Sequence, residues 1–295
     1  MIAPRVAVDA VALESRAADF AKRSIKAQAK RDGIELAISC VDLTTLEGKD
    51  SVGRVRSLCA KAVAPRPGWP GIPSVAAVCV YPNLVEAAKA ALVGSRVRVA
   101  SVATAFPSGL SSPAVRLADT EAALAAGADE IDMVIDRGAF LAGDLRRVYD
   151  DIVAVKRLCG DVHLKVILET GELGSYDAIR SASDLALEAG ADFIKTSTGK
   201  IGVSATMPTA LAMCYAIRDF AERTGERRGL KIAGGVRTTK AALAYLVLVN
   251  ETLGAAWLSP DRFRIGASAL LDDLLMQLET AQTGRYAAID YIPKD

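Results

Sequence analysis

Three lysines sit where apolar residues belong. Leu164-Lys165-Val166-Ile167, Phe193-Ile194-Lys195 and Leu230-Lys231-Ile232 each place an amine inside a run of strand-forming residues. A lysine in a strand core loses hydration, a cost relieved by pairing it or by making it neutral. A neutral amine is a nucleophile toward carbonyl carbon. The stretch Ala191 to Lys200, ADFIKTSTGK, carries this furthest. Small residues, Thr196 to Gly199, follow Lys195, and a second lysine, Lys200, closes the stretch. They leave open space and supply hydroxyl and backbone N–H groups. One such lysine could simply snorkel from a strand end into solvent; recurrence on three runs weakens that reading. Crowded like charges favour loss of a proton from one of them. Moving a lysine pKa from ~10.4 to ~7 costs about 4.6 kcal/mol. One lysine then acts as nucleophile while a neighbouring ammonium holds its pKa down. Asp132, inside Glu130-Ile131-Asp132-Met133-Val134-Ile135, is placed to move protons or position water, or else to serve as a structural partner of a lysine.

The one histidine, His163, argues against a catalytic zinc, which needs two or three His ligands or a Cys/His set. It reads as a strand-start residue. No metal and no cofactor are expected. Lys+Arg is 36 and Asp+Glu 35, so no bulk charge draws nucleic acid or an anionic membrane. Cys40, Cys59, Cys79, Cys159 and Cys214 are scattered, without a Cys-x-x-Cys pair, and read as reduced residues of a cytoplasmic protein. No apolar run is long enough to span a bilayer, and the N-terminus lacks the pattern of a signal peptide.

These side chains need elements to position them. An amphipathic helix is predicted over about 11–31, ending at Gly33. Strands are predicted at Glu35 to Leu43, Val75 to Tyr81, Val97 to Ala103, Glu130 to Ile135, His163 to Glu169, the start of the Ala191 stretch, Leu230 to Ala233, and Phe263 to Ile265. Helices follow them over about 51–63, from Pro82-Asn83, 113–126, 144–158, 175–189, 207–224, 238–249 and to about 280. Eight near-continuous apolar strands alternating with helices suggest a covered parallel sheet. At 295 residues with 51% hydrophobic content, the expected fold is α/β, a (β/α)8 TIM barrel with an extra N-terminal helix. The expected division is 1–34 helical extension, 35–282 barrel and 283–295 tail. An open doubly wound sheet is the alternative, weakened because no Gly-x-Gly-x-x-Gly turn follows the first strand. In a barrel the active site lies at the C-terminal strand ends; Asp42, Asp132, Lys165, Lys195 and Lys231 fall within strands or just after them.

Gly234-Gly235 after the seventh strand and Gly266-Ala267-Ser268 before the last helix suggest a phosphate site, with Gly199 contributing. The string STGK lacks the upstream glycine of an NTP-binding loop.

With these residues in view, the chain resembles the deoxyribose-phosphate aldolases, class I aldolases, in their longer form. CVDLTTLEG, VAAVCVYP, SVATAFPSG, GADEIDMVI, LKVILETGEL, DFIKTSTGK, LKIAGGVRT and FRIGAS carry the resemblance, over about 40–270 and in order. It implies a (β/α)8 barrel and reversible cleavage of 2-deoxy-D-ribose 5-phosphate to D-glyceraldehyde 3-phosphate and acetaldehyde, in deoxyribonucleotide catabolism. It implies Lys195 as the Schiff-base lysine, Lys231 as the lysine that lowers its pKa, and Asp132 in the proton relay. Asp42, Cys79, Lys165, Lys200 and Thr196 match pocket positions. Gly199, Gly234, Gly235, Gly266 and Ser268 match the phosphate site, with Ala269 where compact members carry a second serine, one hydroxyl fewer. A phosphosugar substrate and a homo-oligomer, dimer or tetramer, are implied. Two other readings stay open: a sibling class I aldolase with another aldehyde donor, and a non-catalytic phosphosugar-binding barrel. The latter has no need of a costly lysine cluster.

Overall fold

A computed structural model describes residues 6–69 and 71–284. Eight parallel strands close into a barrel in the order β1 to β8. They are β1 Val41–Thr44, β2 Ala77–Val80, β3 Arg98–Ala103, β4 Glu130–Val134, β5 His163–Ile167, β6 Phe193–Lys195, β7 Gly229–Ala233 and β8 Phe263–Ala267. Two helices precede the barrel, α1 Ala10–Ala21 and α2 Ala27–Ser39. Those between strands are α3 Val52–Val63, α4 Val85–Ala91, α5 Pro113–Ala125, α6 Arg137–Leu141, α7 Leu145–Cys159, α8 Tyr176–Glu188, α9 Met207–Thr224 and α10 Thr239–Leu253; α11 Leu270–Thr283 follows β8.

The helices form for local reasons. Ser51, Ser112, Asp144, Ser175 and Thr238 each accept a bond from a first-turn N–H, and proline opens α5. Apolar residues then recur at helical spacing. On α7, Val148, Ile152, Val155 and Cys159 form one buried face. Helices that follow the strands lay such faces on the barrel, so the main core lies between strands and helices.

Two sequence expectations are corrected. The N-terminal helix is two helices, and Ala27 sits at φ 50° where α2 begins. The stretch from Glu35 is helical through Ser39, and the strand starts at Val41. Ile34, Ala37 and Ile38 are buried at i, i+3 and i+4, a helical face that the strand-like composition of ELAISCVDL obscures. Helix α2 therefore runs unbroken through positions 34 and 35. It packs on α10 and α11, while α1 packs on α9 and α10. Of the expected tail, only Thr283 and Gly284 lie within the described residues, and Gly284 caps α11 in the left-handed conformation.

Side chains alternate along a strand. On β4, Ile131 and Met133 join the outer core, while Glu130 and Asp132 face the barrel interior with the strand lysines. A small apolar cluster of Leu46, Cys79, Ala100 and Val102, flanked by Tyr81 and Phe106, fills the β2–β3 side.

Candidate active site

Adjacent-strand register brings the lysines together. Lys195 is the partner of Lys231 across β6 and β7, and Asp132 is the partner of Lys165 across β4 and β5. All point inward and are buried. Asp132 is the hub: its Oδ2 accepts from Lys195 Nζ at 2.7 Å and from Lys231 Nζ at 2.8 Å, and its Oδ1 accepts from Lys165 Nζ at 2.7 Å. Lys165 has a second carboxylate, Glu130 Oε2 at 2.6 Å. Lys231 also has a second, Asp42 Oδ2 at 2.5 Å, an ion pair out of line for a hydrogen bond. Among the described residues, Lys195 pairs with Asp132 alone.

This asymmetry separates the pKa values of the three amines. Burial disfavours every ammonium here. For Lys231, Asp132 and Asp42 outweigh burial and hold its pKa above the usual lysine range. Asp132 and Glu130 do the same for Lys165. For Lys195, burial wins, helped by the positive charge of Lys231, and its pKa falls below the usual range despite Asp132. Burial would also push the Asp132 carboxyl up, but three ammonium groups hold it well below its ordinary value. The sequence reading gave lost hydration and a neighbouring ammonium as what lowers a strand lysine's pKa; both act on Lys195, burial the more strongly.

Lys195 opens onto a cavity of about 280 Å³ at the C-terminal end of the barrel. Of the residues singled out in the sequence, Gly199, Lys200, Gly234, Gly235, Gly266 and Ser268 also line it. Asp132, Lys231, Asp42 and Lys165 do not line it; Asp132 reaches it through the Lys195 amine. Cys79 stands in the apolar β2–β3 wall, and burial pushes its thiol up, so it stays protonated. Thr196 is a cross-strand tie: its Oγ1 accepts from Ala233 N at 3.0 Å and donates to Ala233 O at 3.2 Å. Lys200 Nζ rests 2.8 Å from Glu47 at the rim. Wider clefts of about 560 and 610 Å³ open beside Arg98 and beside α10, but neither is lined by a strand lysine.

The glycines shape the cavity. A Cβ on Gly266 would stand 3.2 Å from Lys231 Cε, so a bare backbone lets that lysine cross beneath β8. Gly234 has φ 78°, and a Cβ there would stand 2.3 Å from Ser204 Oγ. Ala269 makes no side-chain cap on α11, leaving its first N–H groups free of one beside Ser268. A helix N-terminus and glycine loops suit a phosphate. Among the described residues, no three His, Cys, Asp or Glu side chains are grouped to hold a metal ion.

Sequence reasoning missed four residues. Arg237 lines the cavity and is exposed. Glu169, in the left-handed region at φ 54°, accepts from both N and Oγ1 of Thr198 and steadies the turn after Lys195. Arg264 and Glu130 are buried together: Arg264 donates to Glu130 Oε1 at 2.7 Å and to Asp42 Oδ1 at 2.6 Å. The signal that marked the lysines, a charge inside an apolar run, also marks Glu130 in GADEIDMVI and Arg264 in FRIGAS.

A closed (β/α)8 barrel with a buried lysine of lowered pKa at the floor of a glycine-rimmed cavity has the architecture of a barrel aldolase. The sequence profile described as DeoC/LacD family aldolase matches residues 36–275, and the chain belongs to that family. Deoxyribose-phosphate aldolase of Mus musculus is 46% identical, over 98% of this chain and 94% of its own. A solved structure from Toxoplasma gondii ME49, described as a candidate deoxyribose-phosphate aldolase, has TM-score 0.76 and 26% identity, covering 86% of this chain and 97% of that one. The tetrameric deoxyribose phosphate aldolase of Aeropyrum pernix shares the fold at TM-score 0.62 and 24% identity, covering 88% and 100%. The chain is an aldolase, a carbon–carbon lyase.

Proposed function

We propose that the protein cleaves 2-deoxy-D-ribose 5-phosphate reversibly to D-glyceraldehyde 3-phosphate and acetaldehyde through a Schiff base on Lys195. The observation that carries this is the carboxylate count at the three amines: two each for Lys165 and Lys231, one for Lys195. The amine with least anionic support is also the one facing the cavity.

The neutral Lys195 amine adds to C1 of the open-chain sugar. The resulting carbinolamine loses water to give a protonated imine, with Asp132 and the Lys231 ammonium beside it to carry the protons. A base removes the C3 hydroxyl proton and the C2–C3 bond breaks. Its electron pair enters the iminium as an enamine and D-glyceraldehyde 3-phosphate departs. Protonation at C2 and hydrolysis release acetaldehyde and free the lysine. The apolar wall of Val102, Ala100 and Leu46 suits the two-carbon fragment. Gly199, Gly234, Gly235, Gly266, Ser268 and the Lys200 ammonium suit the phosphate.

In this reading the catalytic residues all lie within 35–282, the 1–34 and 283–295 segments flank them, and the assembly is a homo-oligomer. Among the described residues no helix is long and apolar enough to cross a membrane. Five buried free thiols fit a reducing, cytoplasmic setting, and the near-zero net charge speaks against nucleic acid as a partner.

The test is incubation with acetaldehyde and cyanoborohydride followed by peptide mapping. An ethyl group on Lys195, and loss of turnover in Lys195→Ala, are expected. A folded protein without an adduct would instead be a phosphosugar-binding barrel. An adduct with faster cleavage of another phosphosugar would make it a sibling aldolase.

A further inference from the structure

Below the cavity the buried charges continue. Lys165, Lys195, Lys231 and Arg264 are four cations; Asp42, Glu130 and Asp132 are three carboxylates. All seven side chains are at most 3% exposed. With every group ionised the set carries one surplus positive charge (four less three), and one neutral amine balances it. Burying an uncompensated charge is costly, so the balanced state is favoured. Arg264 cannot lose its proton. Glu130 and Arg264 touch neither the cavity nor Lys195, yet they change the count by one each.

We propose that Glu130 and Arg264 set the charge balance of the barrel interior, so that one strand lysine must be neutral and the amine at Lys195 is that one. They act as positioning residues, through the chain of contacts. Arg264 holds Asp42 against Lys231, and Glu130 holds Lys165 against Asp132, which leaves Lys195 a single carboxylate. Other titratable groups nearby stand outside this set of ion pairs: Glu169, buried after β5, is taken up by Thr198 N and Oγ1 in the turn after Lys195. Cys79 on β2 is a protonated thiol. On β3, Arg98 also reaches Glu130, but it lies at the opposite, open end of the barrel, where Asp261 pairs with it. His163 on β5 stands beside Arg98 at that end, 3.5 Å away.

This inference rests on the Schiff-base reading of Lys195, and the experiment separates the two. The readout is the pH dependence of ethyl-adduct formation at Lys195 with acetaldehyde and cyanoborohydride, measured by mass spectrometry on folded protein. A neutral amine is needed, so the yield rises through the Lys195 pKa. Glu130→Gln removes an anion, makes the ammonium less favourable and moves that limb to lower pH. Arg264→Gln removes a cation and moves it to higher pH. Each shift is expected to be about one pH unit or more. The double variant and Arg264→Lys, which restore the balance, return the limb to near its original position. Structural damage alone has no reason to shift the two single variants in opposite directions.

Limbs that stay in place or move the same way in both single variants overturn the proposal while the adduct on Lys195 still supports the Schiff base. No adduct on Lys195 in the unmodified protein overturns both. Should Glu130→Gln fail to fold, the comparison of Arg264→Gln with Arg264→Lys decides alone: equal limbs sink the proposal.

Discussion

Lys195 and Lys231 reach one oxygen, Asp132 Oδ2, at 2.7 and 2.8 Å from adjacent strands of the barrel. Two ammonium groups on one carboxylate oxygen repel each other, and burial leaves no water to screen them. Lys231 keeps its proton because Asp42 stands at 2.5 Å on its other side. Lys195 lacks such support. The same side chain in two carboxylate environments thus has its pKa raised at one position and lowered at its neighbour.

Replacing Lys231 tests that division. Lys231→Met removes a charge that helps depress the Lys195 pKa, so that pKa moves up and less of the amine is neutral at pH 7. Turnover at pH 7 should fall by about 10²–10⁴-fold, with partial recovery as pH rises. A pH–rate profile of the variant checks this; an unchanged rate and profile would remove Lys231 from the site.

Acid should unfold the protein through its interior carboxylates. Asp42, Glu130 and Asp132 all have folded-state pKa values below their ordinary ones. A depressed carboxyl stabilises the fold above its unfolded pKa, about 4, and loses that contribution as pH falls through the folded value. The melting temperature should be nearly flat from pH 7 to about 5 and drop below about 4. Asp132→Asn deprives three amines of their common partner and should cost about 3–5 kcal/mol in urea denaturation at pH 7.

Gly234→Ala probes the phosphate end alone. Its φ of 78° strains any side chain, and the new Cβ meets Ser204 at 2.3 Å, at a cost of about 1–3 kcal/mol. Displacement of this loop should raise KM for the phosphorylated sugar by roughly tenfold, the worth of one or two hydrogen bonds. The rate with unphosphorylated deoxyribose should change little. Equal losses on both substrates would detach the loop from phosphate recognition.

His163 offers the opposite control. It begins β5 at the end of the barrel away from the cavity, half-buried beside Arg98. His163→Asn should leave kcat/KM within about threefold of the unmodified enzyme. A larger drop, with the fold intact by circular dichroism, would give the lone imidazole a role in turnover.

The fold, and most of the residues that the structure brings together around Lys195, were legible from residue types. Alternation of short apolar strands with capped helices sufficed for the barrel, because burial on both faces leaves a one-dimensional imprint. Lysines in strand cores were visible for the same reason, as charges where nothing polar is tolerated cheaply. The failures lie where that imprint is ambiguous. Glu35 to Ser39 mixes apolar and small residues that suit either period, and only packing of Ile34 and Ile38 against α10 and α11 makes it a helix. Thr196 had the composition of a pocket residue, but its hydroxyl is occupied by the Ala233 backbone.

The sequence by itself determined that a barrel would hold three buried amines and an aspartate, since residue type and spacing along each strand dictate which face a side chain takes. Only the tertiary structure decided which amine has its pKa lowered. That choice depends on the second carboxylates, Asp42 from β1 and Glu130 from β4, and on Arg264 from β8, residues brought together by barrel closure. Electrostatic energy in a buried site depends on distances across the barrel, and no spacing along the chain encodes them.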